Sequence, residues 1–163
     1  MIIHSNVLNC NLYEELLDIF EKNPFLYFSN QYHWNEDLLQ GMLGTCLCAD
    51  VNEHIKSLIL KDIGHLLPSY KDIDMLYYTW GKQSGINWHT DFPYLFGATI
   101  YFNKDWNRRD GGILLWEDEF EIKGHLPKPN SMVLNTKNYN HMVTPIHYDA
   151  VSPRYTIQIF GKS

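Results

Sequence analysis

The segment Asn87-Trp88-His89-Thr90-Asp91 sets an imidazole and a carboxylate two residues apart. In a strand, residues i and i+2 project from one face, so His89 and Asp91 are expected to point into one space. Together they supply two of the three ligands of a two-histidine, one-carboxylate facial metal site. Such a site leaves positions open for a bidentate co-substrate and oxygen. Alone, the tripeptide fits a surface histidine beside a solvated aspartate equally well. A third candidate stands fifty residues further on, where His141 opens His141-Met142-Val143-Thr144-Pro145-Ile146 and reads as a strand entry. His147 is a rival for the same role. Arg154 follows thirteen residues after His141, in the otherwise uncharged run Tyr155-Thr156-Ile157-Gln158-Ile159-Phe160. It either snorkels from a strand end or faces inward to hold a carboxylate through two parallel hydrogen bonds. Thr156 shares its face and adds a hydroxyl.

Two zones must position these residues. Residues 1–70 read as helical. Asn11-Leu12-Tyr13-Glu14 has the form of a capping box, and Leu12, Leu16, Ile19 and Phe20 fall on one helical face before Pro24 stops the run. Asp50-Val51-Asn52-Glu53 is a second capping box, followed by Ile55, Leu58, Ile59, Ile63 and Leu66, and ended by Pro68. These stripes are expected to pack on a sheet. From residue 72 to 163 the pattern changes to short strands between turns: 74–80, 98–102, 113–116, 120–122, 131–134 and 154–160, with turn compositions at 107–112 and 128–130. Such spacing predicts a sandwich or small barrel within one domain spanning 1–163.

Composition narrows the function classes. Apolar residues make up 45% and aromatics 15% of 163 residues, enough for a packed core. No apolar run approaches the ~18 residues of a membrane span, and the first ten residues lack the pattern of a signal peptide, so a cytoplasmic location is expected. A net charge of −6 argues against nucleic acid as a partner. Cys46 and Cys48, with no second pair nearby, read as small half-buried thiols rather than a zinc site. His4, His33, His54, His65 and His125 show no partner pattern. Trp80, Trp88, Trp106 and Trp116 either line a substrate groove or fill the core.

In chain order, His-x-Asp, then about fifty residues, then His and Arg, is similar to the pattern of the 2-oxoglutarate- and Fe(II)-dependent oxygenases. The local matches are nearer the prolyl hydroxylase branch. Ile100-Tyr101-Phe102-Asn103-Lys104-Asp105-Trp106 resembles the strand and turn after the first two ligands, and Asp110-Gly111-Gly112-Ile113-Leu114 the next hairpin. Tyr78-Thr79-Trp80-Gly81 resembles Tyr-x-Pro-Gly, with Trp80 in place of proline, and Arg154-Tyr155 resembles the last strand. His141 is preferred to His147 because Val143 and Pro145 follow it, as in the family's His-x-Val-x-Pro. The likeness runs from Tyr78 to Phe160.

The resemblance implies an α+β, mainly β fold: a double-stranded β-helix (jelly-roll, cupin-like) core buttressed by N-terminal helices. It implies Fe(II) on the catalytic residues His89, Asp91 and His141. Arg154 would hold the distal carboxylate of 2-oxoglutarate, Tyr101 would hydrogen-bond it, and Tyr78 would face the co-substrate; core packing would account for both tyrosines as well. O2 would be the oxidant and ascorbate a reductant. The implied reaction hydroxylates a prolyl residue of a protein or peptide and releases succinate and CO2. The alternatives are the same chemistry on another residue or a small molecule, a metal-binding cupin-type enzyme without 2-oxoglutarate, and a non-catalytic metal-binding domain. The stretch from His141 to Arg154 is longer than in the hypoxia-type enzymes, with the excess expected as a bulge within 147–153.

Overall fold

Alternating residues along 72–80 divide between two apolar environments, and that division sets the architecture. In the computed structural model, which describes residues 1–22, 28–29 and 34–163, Ile73, Met75 and Tyr77 join one buried cluster while Leu76, Tyr78 and Trp80 join another. A strand buried on both faces must be covered on both. Here the first cover is a pair of helices and the second is another sheet.

The elements, in order, are β1 (Ile2–Ser5), α1 (Cys10–Lys22), β2 (Phe28–Ser29), α2 (Glu36–Gly41), β3 (Met42–Leu43), β4 (Cys46–Asp50), α3 (Glu53–Ile63), β5 (Asp72–Trp80), β6 (Gly85–His89), β7 (Phe96–Tyr101), β8 (Leu114–Asp118), β9 (Glu121–His125), β10 (Ser131–Asn135), β11 (His141–Val143) and β12 (Arg154–Lys162). Seven strands form one sheet in the order β1-β10-β7-β12-β5-β4-β2, and five form a second in the order β3-β6-β11-β8-β9. Every pairing is antiparallel. From β5 to β12 the chain crosses repeatedly between the two sheets as a jelly roll, staying in one sheet only at the β8–β9 pair, so the fold is the mainly β, helix-buttressed double-stranded β-helix that the resemblance implies.

The apolar stripes of both helices cover the outer face of the larger sheet. Leu12, Leu16 and Phe20 of α1 and Ile55, Ile59 and Ile63 of α3 are buried against Ile73, Met75, Ile100, Ile157 and Ile159. Tyr13 adds a polar tie, its hydroxyl donating to the Phe102 carbonyl at 2.5 Å. Both helix starts differ from the sequence reading. Asn9, not Asn11, caps α1 by accepting from the Leu12 amide at 3.1 Å, and Asn52, not Asp50, caps α3 by accepting from the Ile55 amide at 3.0 Å. In each case the neighbouring Asx residue already satisfies the N3 amide. Pro24 and His33 lie outside the described residues.

The helical zone 1–70 also contains strands. β1 and β4 extend the larger sheet on either side of its core; in β4 the burial of Cys46 and Cys48 on alternate positions is a strand period rather than a helical one. No helix among the described residues is long and apolar enough to cross a membrane.

Candidate active site

The inner face of the larger sheet is organised in rows. Register places Cys46, Trp80 and Arg154 side by side; then Cys48, Tyr78, Thr156 and Tyr101; then Asp50, Leu76, Gln158 and Thr99; then Asp74, Phe160 and Gly97. The smaller sheet faces these rows, and a cavity of about 370 Å³ lies between the two. His89, Asp91 and His141 line it on one side, and Tyr78, Trp80, Arg154, Gln158 and Phe160 on the other.

His89 and His141 stand directly opposite each other, at the end of β6 and the start of β11. Their ring centroids are 4.3 Å apart. Asp91 lies beyond the end of β6, so it reaches the site from a turn rather than from the strand face that the spacing predicted. Its Oδ1 is 3.7 Å from His141 Nε2. One potential ligand atom from each of the three residues falls within 4.8 Å of the others.

The environment prepares these atoms for a cation. His89 Nδ1 lies 2.8 Å from the Asn87 carbonyl and His141 Nδ1 lies 2.9 Å from the Tyr139 carbonyl. A carbonyl only accepts, so each Nδ1 carries the proton and each Nε2 presents a lone pair. Burial pushes His89 down to about 4, with His141 beside it adding to the fall, and burial also lowers His141. Both imidazoles are therefore neutral near pH 7. Burial pushes the Asp91 carboxyl up to about 6, against the pull of His89 and a hydrogen bond from Asn135. Its backbone amide is fixed by Asn138 Oδ1 at 3.0 Å. A Cβ at Gly97 would fall on Asp91 Oδ2, so the carboxylate occupies space that only glycine leaves free.

Arg154 is 2% exposed, and none of the ion pairs among the described residues includes it. Its guanidinium carbon lies 5.1 Å from the Tyr101 ring centre and 5.9 Å from that of Trp80. Gly112, at φ 61°, makes room for it: a Cβ there would stand 2.9 Å from Arg154 Cδ. A buried cation without an anion is costly, and its polar neighbours are unsatisfied too. Arg154 Nε, Thr156 Oγ1 and Trp80 Nε1 are buried with no hydrogen-bond partner, and the buried Tyr101 hydroxyl has only the Arg154 guanidinium beside it. Such a concentration of orphaned groups fits a site for an anionic, hydrogen-bond-accepting ligand. A carboxylate has the charge and the lone pairs required.

The structure sorts the other candidates. Tyr78 lines the cavity, and its hydroxyl accepts from Trp34 Nε1 at 2.6 Å. Tyr101 lies beneath the Arg154 guanidinium and Thr156 pairs with Tyr101 across β7 and β12; neither is on the cavity lining. His147 is exposed, packs at a tilt against Tyr148, and belongs to the turns between β11 and β12; it does not join the cluster. Trp106 and Trp116 are core, and Trp88 is 37% exposed. The sequence left Trp80 undecided, and Gly97 carried no signal at all, because its role is a contact made only in three dimensions.

The fold recurs among solved structures. A prolyl-4-hydroxylase from Pseudomonas putida superposes with a TM-score of 0.70 at 13% identity, covering 99% of this chain and 92% of that one. A prolyl hydroxylase in complex with a hypoxia-inducible-factor oxygen degradation domain peptide fragment, from Trichoplax adhaerens, gives 0.72 at 16% identity, covering 99% and 82%. HygX from Streptomyces hygroscopicus, with nickel, 2-oxoglutarate and hygromycin B bound, gives 0.66 at 8% identity, covering 99% and 82%. At these identities the likeness shows the fold. No protein-family model matches the chain, and no curated protein matches it.

Proposed function

We propose that this chain is an Fe(II)- and 2-oxoglutarate-dependent oxygenase that hydroxylates a prolyl residue of a protein or peptide, releasing succinate and CO2. The observation that carries the reading is the facing of two half-sites across one cavity. His89, Asp91 and His141 converge within 4.8 Å on one side, and a buried guanidinium without an anion lies on the other.

His89 Nε2, Asp91 and His141 Nε2 would hold the iron, a donor set of the facial type. Arg154 would grip the distal carboxylate of the oxo acid, with the Tyr78 hydroxyl on the same wall of the cavity and Tyr101 and Thr156 backing the guanidinium from behind the lining. Iron with its oxo acid and O2 supplies the oxidising power that no side chain has. The residues of this chain orient and enclose. The carbonyls of Asn87 and Tyr139 fix both imidazole tautomers. Trp34, Tyr78, Trp80 and Phe160 restrict water on the wall that faces the metal site. Ascorbate would serve as external reductant.

A peptide substrate is supported by the apolar rim. Phe92, 75% exposed, lines the cavity mouth beside Pro93 and Tyr94, and exposed apolar groups at a cavity edge favour a partner that covers them. The HygX structure, with hygromycin B bound, supports a second reading in which the same chemistry acts on a small molecule. Succinate release from 2-oxoglutarate, measured over a panel of prolyl peptides and small acceptors, distinguishes the two. Stimulation by a prolyl peptide, with a gain of one oxygen atom in that peptide, is the expected result. Stimulation by small acceptors alone would replace the peptide reading.

A further inference from the structure

We infer that the indole N–H of Trp80 donates a hydrogen bond to the distal carboxylate of the oxo acid, beside Arg154; this rests on the oxygenase reading above. Trp80 pairs directly with Arg154 across β5 and β12, so both side chains leave the sheet on the same face. Both line the cavity. Trp80 is 4% exposed, and its Nε1 has no acceptor.

The contrast with the adjacent indole is informative. Trp34 packs 5.6 Å from Trp80, yet its own Nε1 is satisfied by the Tyr78 hydroxyl at 2.6 Å. The wall thus contains one satisfied indole and one unsatisfied one, and the unsatisfied one is the neighbour of the unpaired cation. A buried N–H lacking an acceptor costs free energy that a ligand oxygen recovers. Tryptophan has no acceptor atom, so the group that satisfies it must bring a lone pair. A carboxylate bound to Arg154 has lone pairs to spare after a two-bond contact with the guanidinium. The sequence has tryptophan here where the resembled Tyr-x-Pro-Gly pattern has proline, a residue with no side-chain donor. The extra donor is therefore a property of this chain.

The test compares two oxo acids on the Zn(II)-loaded protein by calorimetry: 2-oxoglutarate, and 2-oxovalerate, which has the same chain length without the distal carboxylate. Trp80→Phe keeps an aromatic, apolar side chain and removes the donor; the smaller ring affects both oxo acids alike, so the difference between them isolates the N–H. The variant should weaken 2-oxoglutarate about tenfold relative to 2-oxovalerate, the order expected for one hydrogen bond to a charged group. An equal effect on both ligands, or on neither, overturns the inference, since a merely structural tryptophan has no reason to distinguish them. Should the variant not fold, the Trp80 indole N–H resonance among the five of the ¹⁵N-labelled wild-type protein, assigned by through-space contacts to Trp34 and Arg154, decides. A downfield shift and slowed exchange with 2-oxoglutarate but not with 2-oxovalerate supports the bond, and no difference refutes it. Failure of the wild-type protein to bind either oxo acid would instead remove the oxygenase reading, and this inference with it.

Discussion

Alanine at position 97 would put a methyl group where the Asp91 carboxylate now lies. A Cβ built on Gly97 falls on Asp91 Oδ2 and stands 3.1 Å from Cγ and 3.7 Å from Cβ. Non-bonded carbons settle at roughly 3.5–4.0 Å, so the carboxylate must withdraw by on the order of 1 Å. Metal–ligand distances in a sound site fall within about 0.2 Å of their usual values, so the larger withdrawal removes the ligand from its place. Disturbing the groups that hold a ligand in place typically costs about 10- to 100-fold in affinity. Gly97 has ordinary strand backbone, with no positive φ, so alanine is compatible with β7 itself; crowding costs about 1–3 kcal/mol. Gly97→Ala should therefore fold, with a lowered melting temperature, and bind Mn(II) about 10- to 100-fold more weakly than wild type. Calorimetric titration of the metal-free protein, at a temperature where circular dichroism shows both proteins folded, measures this. Wild-type affinity in a folded Gly97→Ala protein would show that the carboxylate position does not govern metal binding, and the reasoning would fail.

Arg154→Met should raise the thermal stability of the ligand-free protein by about 1–4 kcal/mol, because it replaces an uncompensated buried charge with an apolar side chain of similar reach; 2-oxoglutarate should then no longer raise the melting temperature of the metal-loaded variant. Affinity for Mn(II), followed by titration from pH 5 to pH 8, should increase as pH rises through about 6, where Asp91 ionises, and level off above it, since His89, lowered to about 4, is already neutral. In the metal-free protein the raised carboxyl acts oppositely on stability. Its contribution is full below its ordinary 3.8 and is lost as pH rises through about 6, so Asp91→Asn should remove that loss in urea melts at pH 4 and pH 7. Asn52→Ala should cost about 1 kcal/mol in the same melts through loss of the α3 cap, with metal affinity unchanged.

The parts of this molecule legible in its sequence are those where one residue type meets one period. The stripes Leu12, Leu16, Phe20 and Ile55, Ile59, Ile63 announce helices packed on a sheet, and the helices lie there. His89, Asp91 and His141 come together because β6 and β11 are neighbours, an adjacency that the order His-x-Asp, His, Arg only suggests. Short elements were less legible. In Cys46–Asp50 a strand of five residues carries too few alternations to stand out beside a long helical stripe. The two caps shifted by two residues because several Asx residues compete at each helix start. Asp91 leaves the strand that was expected to aim it, and Tyr101 and Thr156, expected to add hydroxyls beside Arg154, lie off the cavity lining. Register fixes which face a residue uses, but the depth of a side chain depends on what packs over it, here Arg154 itself. Gly97 and Trp80 act through contacts with residues distant in the chain or across the sheet, which no local pattern encodes.

The central claim is that His89, Asp91 and His141 hold iron on which 2-oxoglutarate chelates. Adding Fe(II) and 2-oxoglutarate to the protein without oxygen, and recording the visible spectrum, tests it most directly. The account predicts a charge-transfer band from the chelated oxo acid that is absent from His89→Ala. No band in the wild-type protein, or an equal band in the variant, would contradict it.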